Sequence, residues 1–223
     1  MITERLRALS AETHEMFPFP MRGEYLPLLN LSTHNWRVTG KNIWERPRLT
    51  AYVNKRLEQT GAPAVWGGYL EQRLIYSDSP HFHSDQKPRC IHLGVDFWTD
   101  AGTRVAAPIA GIVHSFANNE GYSNYGGTVI LRHEVEDLAF HSLYGHLSVQ
   151  SVEGLEVGQK MEAGETVGWL GAFEENGNWP PHLHFQLIVD MGEWSGDYPG
   201  ACAIEDMKYY QKNCPDPRFL LGI

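Results

Sequence analysis

What most restricts this chain is a period-two alternation of polar and apolar side chains in Ile91-His92-Leu93-Gly94-Val95-Asp96-Phe97. Successive side chains of a β-strand point to opposite faces, so an extended reading buries Leu93, Val95 and Phe97 on one side. His92, Gly94 and Asp96 line up on the other, with Gly94 leaving open space between imidazole and carboxylate. Pro181-His182-Leu183-His184-Phe185-Gln186-Leu187-Ile188-Val189 follows the same logic. Leu183, Phe185 and Leu187 form its apolar face, and His182, His184 and Gln186 its polar one. In Leu143-Tyr144-Gly145-His146-Leu147, Tyr144 and His146 fall on one face and Leu143 and Leu147 on the opposite one. If these polar faces converge, they offer Zn²⁺ the imidazole nitrogens and carboxylate oxygen it accepts, and a hydrolytic zinc keeps three protein ligands and one open position.

The rest of the composition agrees with strands and turns. Glycine (22), proline (13) and aromatics (12%) are plentiful in 223 residues, which favours a β-rich chain over a helical bundle. A formal net charge of −9 argues against nucleic-acid partners, which need a basic footprint. Cys90, Cys202 and Cys214 form no C-x-x-C pair and are read as ordinary thiols; a Cys202–Cys214 bridge is the one pairing left open. The amino terminus has no apolar run of signal-peptide length, and no stretch approaches a transmembrane helix, so the expectation is a cytoplasmic chain.

Three parts are expected: an N-terminal extension (1–85), a β-domain carrying the candidate metal ligands (86–190) and a C-terminal tail (191–223). The extension mixes helix and loop. Leu6 and Leu9 mark a short first helix ended by Phe17-Pro18-Phe19-Pro20, and a second runs from Arg48 to Thr60, before Gly61-Ala62-Pro63. An interrupted apolar segment spans residues 25–32. Trp66-Gly67-Gly68-Tyr69 reads as a turn, Arg73-Leu74-Ile75-Tyr76 as a strand, and Ser77 to Lys87 as a polar loop in which His81 and His83 are a solvated pair. From Arg89 the texture becomes short strands between glycine turns, an all-β unit. Its segments 102–113 and 157–168 echo each other, which points to an internal duplication. The tail is a loop followed by a short helix.

The order H-x-x-x-D, then Tyr-Gly-His-Leu, then H-x-H resembles the lysostaphin and LytM-type zinc metalloendopeptidases. Gly121-Tyr122-Ser123-Asn124-Tyr125-Gly126 is similar to that family's glycine-rich loop, and Gly158 to Gly168 to its lipoyl-like half-barrel turn. The resemblance covers residues 89–190. It implies antiparallel sheets in a duplicated hybrid motif. It also implies one Zn²⁺ per chain on His92, Asp96 and His184, with His146 and His182 as the catalytic pair. The spacing alone treats the two histidines of H-x-H alike and does not choose the base between His146 and His182. The implied activity is hydrolysis of glycine-containing peptide bonds, with peptidoglycan cross-links the usual substrate and a peptide or muropeptide as the partner. Zinc lowers the pKa of a bound water to about 7, and a neutral imidazole can take its proton.

Each assignment has a plainer competitor. A lone strand histidine is more often structural, and the reading rests on three ordered motifs together. His114, His133 and His141 are read as structural or surface residues. Tyr122 and Asn124 line the substrate groove or simply form the turn. Tyr144 is either a packed aromatic or a hydrogen-bonding group near the metal. Trp66, Trp98, Trp169, Trp179 and Trp194 are core residues or groove walls. Pro180-Pro181 stiffens the entry to the H-x-H strand. Asn35 is either a turn residue, the plainer reading, or a plug for the metal site, as in related proenzymes. Two other functions share the fold: a regulatory or binding module, disfavoured because all five positions carry competent side chains, and a histidine phosphocarrier, disfavoured by Asp96 and the H-x-H strand.

Overall fold

The computed structural model describes residues 2–22, 26–39, 42–77, 79–83 and 87–223. Positions 78 and 84–86 of the polar loop, and Tyr25 of the interrupted apolar segment, lie outside them. Strands form where the alternation lies: β1 (Val65–Gly67), β2 (Ile91–His92), β3 (Val95–Trp98), β4 (Arg104–Ala106), β5 (Gly111–Asn119), β6 (Gly126–Val135), β7 (Leu138–Leu147), β8 (Lys160–Met161), β9 (Thr166–Trp169), β10 (His182–Ile188) and β11 (Ala201–Cys202). Helices are few and peripheral: α1 (Ile2–Leu9), α2 (Arg46–Thr60), α3 (Met207–Asn213) and α4 (Arg218–Leu221). No helix among the described residues is long and apolar enough to cross a membrane.

Seven strands make the main sheet, in the order β1-β3-β10-β7-β6-β5-β8, and every named pairing is antiparallel. The two echoing segments meet each other, β4 on β9 and β5 on β8. Strand pairing also crosses the part boundaries drawn on the sequence: β1 of the extension joins the main sheet, and β11 of the tail pairs with β2 in a separate two-stranded sheet.

The apolar sides of the alternating strands supply one face of the core. Val95, Phe97, Leu183, Phe185 and Leu187 pack there with Val129, Leu131 and Phe140, and Leu6 and Leu220 of the terminal helices close over them. Burying a side chain such as Leu or Phe is worth about 1.5–3 kcal/mol, so this layer fixes the facing of β3 and β10. The polar sides are thereby turned toward the opposite face.

Several local expectations change. Val65–Gly67 is a strand, and the turn begins only at Gly68 (φ 106°). A Cβ on Gly67 would lie 2.4 Å from the Leu29 carbonyl oxygen, so glycine here admits the segment that hydrogen-bonds Trp66. Arg73-Leu74-Ile75-Tyr76 is not a strand. Single bridges at Gln72 and Arg73 give way to a turn closed by Ser77 N–H donating to Leu74 O (3.0 Å). The second helix starts earlier than expected, at Arg46, because Pro47 is favourable in a first turn, and Gly61 (φ 61°) caps its end.

His133, read as structural or surface, is fully buried on β6. Its Nδ1–H donates to Ala110 O (2.8 Å) and its Nε2 lies 2.7 Å from Ser142 Oγ. Burial pushes its pKa down to about 4. The unfolded chain takes up this proton near pH 6.5 and the folded chain only near pH 4, so the contribution to stability is complete above 6.5 and drains away below it. Wild-type protein is therefore expected to lose roughly 2 kcal/mol between pH 7 and 4.5 through this group alone. His133→Gln should flatten that limb, as read by urea unfolding at the two pH values; an unchanged slope rules out His133 as its source.

Candidate metal centre and cleft

The strand expected over residues 91–97 is broken at Leu93–Gly94. β2 leaves the main sheet to pair with the tail (Ala201↔His92), while β3 stays beside β10 (His184↔Asp96). His92 and Asp96 still face the same way, and His184 enters between them. A Cβ on Gly94 would lie 2.9 Å from the His184 ring, so the open space noted in the sequence is where that imidazole sits.

The result is a tight triangle. His92 Nε2 lies 2.9 Å from His184 Nδ1 and 3.2 Å from Asp96 Oδ1, and His184 Nδ1 lies 3.1 Å from the same oxygen. All three side chains are at most 3% exposed. Their neighbours assign the tautomers. His92 Nδ1–H donates to Gly68 O (2.8 Å), and His184 Nε2–H donates to Gln186 Oε1 (2.8 Å). The Gln186 amide is oriented by its own donation to Pro199 O (3.2 Å). Two nitrogen lone pairs and a carboxylate oxygen thus converge, a donor set that repels itself unless a cation joins it. Nitrogen and carboxylate donors whose outer ring N–H groups are held by carbonyls fit a zinc ion.

Burial pushes the pKa of His92 down to about 3, so its ring is neutral at pH 7. Burial alone would raise Asp96, yet it lies well below the usual carboxylate range, with the Arg73 guanidinium on Oδ2 among the groups that favour its charged form.

His146 and His182 lie beside the triangle with ring centroids 4.1 Å apart. His182 Nδ1–H donates to Pro180 O (2.8 Å) and His146 Nδ1–H to Asn176 O (2.9 Å), leaving each Nε2 as the acceptor. Burial pushes His182 down to about 4 and His146 well down too, so both rings are neutral near pH 7. The Trp98 ring stacks on His182 at 5.7 Å.

His146 reaches this face only because β7 bulges. Val129 pairs with Tyr144 but Gly127 pairs with Leu147, so β7 carries an extra residue there. His146 takes φ 65°, its N–H donates to Tyr125 O (2.9 Å), and its carbonyl accepts from Gly171 N–H (2.9 Å). A non-glycine residue in this conformation is uncommon and is held by its surroundings.

The bulge also corrects the placement of Tyr144. Tyr144 and His146 do not share a face: Tyr144 is fully buried in the apolar core, its ring 5.2 Å from Phe185 and its hydroxyl on Ser142 Oγ. Of its two readings, the packed aromatic is the one the structure shows, outside the cleft lining. Asn124 lines the cleft, while the half-exposed Tyr122 stands outside the lining with its ring 4.9 Å from the Arg46 guanidinium.

The cleft is a cavity of about 360 Å³ over the five residues. Its walls come largely from outside the alternating strands. Ile75, Tyr76 and Phe82 stand on the extension side, and Trp194, Tyr198 and Pro199 on the tail side. Trp98 and Trp179 also line it, whereas Trp66 packs against the core and Trp169 lies in a separate shallow groove. His81 is not solvated as expected. It is half-buried in a 3-10 turn at the cleft wall, with its pKa lowered by burial and by Arg89, whereas His83 is exposed.

Asn35 does not plug the centre. Its amide nitrogen donates to Asn30 O (2.6 Å) and Tyr52 OH (3.2 Å), and its Oδ1 accepts from Arg37 N–H, all within the extension. All three cysteines are thiols, so no Cys202–Cys214 bridge forms. Cys214 Sγ instead accepts from Gln186 Nε2 (3.3 Å).

Sequence reasoning missed Arg73, Glu71, Gly68 and Tyr125. The Tyr125 ring contacts both His146 and His184 at 5.3 Å. The glycine-rich loop around Tyr125 was a visible signal. Nothing local marked Arg73.

A β-fold presenting a His-Asp-His cluster with two further histidines beside it has the donor set that a zinc hydrolase uses. Residues 90–195 match Peptidase family M23, and the chain carries an M23 domain homologous to lysostaphin and LytM-type endopeptidases. It is 39% identical over 101 residues to lysostaphin of Staphylococcus staphylolyticus, covering 45% of this chain and 19% of that protein. It is 31% identical over 132 residues to the L-Ala--D-Glu endopeptidase of Bacillus subtilis, covering 56% of this chain and 38% of that protein. The glycyl-glycine endopeptidase ALE-1 of Staphylococcus capitis is 35% identical over 99 residues, with 44% and 25% covered. The matches thus span well under half the length of these relatives. Among solved structures, the catalytic domain of lysostaphin from Staphylococcus simulans aligns with TM-score 0.42 at 25% identity, covering 73% of this chain and 97% of that one.

Proposed function

We propose that the chain is a zinc-dependent endopeptidase that hydrolyses peptide bonds of peptidoglycan, with glycine-containing cross-links as the first candidates. The observation that carries this reading is the triangle of His92 Nε2, His184 Nδ1 and Asp96 Oδ1, with two neutral histidines beside it. His92, Asp96 and His184 would hold the ion. A zinc ion there would supply a Lewis acid and a water acidic enough to attack at neutral pH.

The remaining chemistry belongs to the chain. One of His146 Nε2 and His182 Nε2 receives the proton of the attacking water, and a protonated imidazole returns a proton to the departing amine nitrogen. The carbonyls of Asn176 and Pro180 keep both rings aimed by holding their Nδ1–H groups. The aromatic walls restrict water around the reacting bond, which strengthens each charge interaction in the cleft. The glycyl-glycine endopeptidase relative supports a glycine bond, and the Bacillus subtilis relative an L-Ala–D-Glu bond.

The deciding experiment incubates purified protein with muropeptides, with oligoglycine and with an L-Ala–D-Glu peptide, with and without a chelator, and reads the products by mass spectrometry. Chelator-sensitive cleavage supports the enzyme, and the substrate cut names the bond. Cleavage of none of them, with no zinc bound, favours the binding-module reading.

A further inference from the structure

The centre extends beyond the matched residues 90–195 into the chain ahead of them. Arg73 is 1% exposed at its side chain and reaches the ligand carboxylate from behind. Its Nη1 donates to Asp96 Oδ2 (2.5 Å) and to Tyr76 OH (3.2 Å), and its Nε donates to Glu71 Oε2 (2.7 Å). Glu71 is anchored in turn, accepting from Leu31 N–H at Oε1 (2.9 Å), and its backbone carbonyl accepts from His92 N–H (3.0 Å).

The adjoining turn is shaped for this. A Cβ on Gly68 would fall 1.9 Å from Arg73 Nη2 and 2.9 Å from His92 Nδ1, so only glycine lets guanidinium and imidazole lie side by side. The Arg73 guanidinium also lies 5.7 Å from the Trp98 ring, which stacks on His182.

We propose that Arg73, braced by Glu71, is a positioning residue for the metal centre: by holding Asp96 Oδ2 it leaves only Oδ1 to face the two imidazoles. This rests on the zinc reading above. Arginine suits the task because its planar fork can engage two carboxylates through separate nitrogens, which lysine cannot do. A merely structural ion pair would fasten residues 71–73 to the sheet without influencing the metal. Positioning predicts that the metal itself reports the loss.

The test compares wild type with Arg73→Gln, Arg73→Lys and Glu71→Gln. Zinc affinity is read by competition with a chromophoric chelator, ligand geometry by the visible spectrum of the Co²⁺-loaded protein, and folding of the metal-free protein by circular dichroism. Removing a partner that orients a metal ligand weakens binding about 10–100-fold. That loss is expected for Arg73→Gln with an altered Co²⁺ spectrum, with little recovery in Arg73→Lys. Glu71→Gln should weaken binding several-fold, and it decides the matter should Arg73→Gln fail to fold. Wild-type affinity and spectrum in whichever of these two variants is folded overturns the proposal and leaves the zinc reading intact. A wild-type protein that binds no zinc removes both.

Discussion

Replacing His184 by alanine is expected to abolish zinc binding at stoichiometric protein concentrations, and hydrolysis with it, by on the order of 10³-fold or more. The residue supplies one corner of the triangle, and its ring is fixed on one side by Gln186 and on the other by the gap above Gly94. The two corners left, His92 and Asp96, are too few for a site that needs three protein ligands. Elemental analysis of the dialysed variant provides the check, with circular dichroism to show that β10 still forms. About one zinc retained per His184→Ala chain would remove His184 from the ligand set.

The second large effect concerns the neighbouring pair. His182→Ala is expected to lower kcat by about 10²–10⁴-fold while zinc content stays at the wild-type level, as the proposed role in moving protons without holding metal requires. For His146 the informative change is asparagine, since asparagine tolerates the left-handed backbone (φ 65°) better than alanine does. The same separation of kcat from zinc content is expected there. Groups that act together lose little more when both are removed, so the double variant should resemble the worse single one. Loss of zinc in His182→Ala would make that residue a ligand and overturn the division of roles.

The legible and illegible parts of the site follow one physical line. His92, Asp96, His182 and His184 could be read from the chain because period two is a local property of an extended backbone. Their apolar neighbours Leu93, Val95, Leu183 and Phe185 reported which face would be buried. His146 was also read from alternation, with its catalytic role implied by the family resemblance, but the face it was given together with Tyr144 is not one that the two share. Strict alternation would have sent it with Tyr144, and the extra residue in β7 separated them. No periodicity announces a bulge, since it arises from the register of the partner strand.

The extension was the least legible part. Arg73-Leu74-Ile75-Tyr76 looked like a strand because its composition suits one, yet Arg73 is drawn under the sheet by Asp96, 23 positions away. Of the two readings of Asn35, plug or turn residue, the structure shows the turn, for a related reason. A short amide beside available carbonyls makes local turns, and Asn35 does so with Asn30 and Tyr52.

The sequence by itself determined the β class, the duplicated turns and the pool of histidines and Asp96 on the polar faces, because alternation and glycine turns act over a few residues. Tertiary structure alone decided which donors share one point, what holds them there and how the cleft is walled. Those outcomes depend on strand register and on buried contacts between the extension, the sheet and the tail, which join residues remote in the chain.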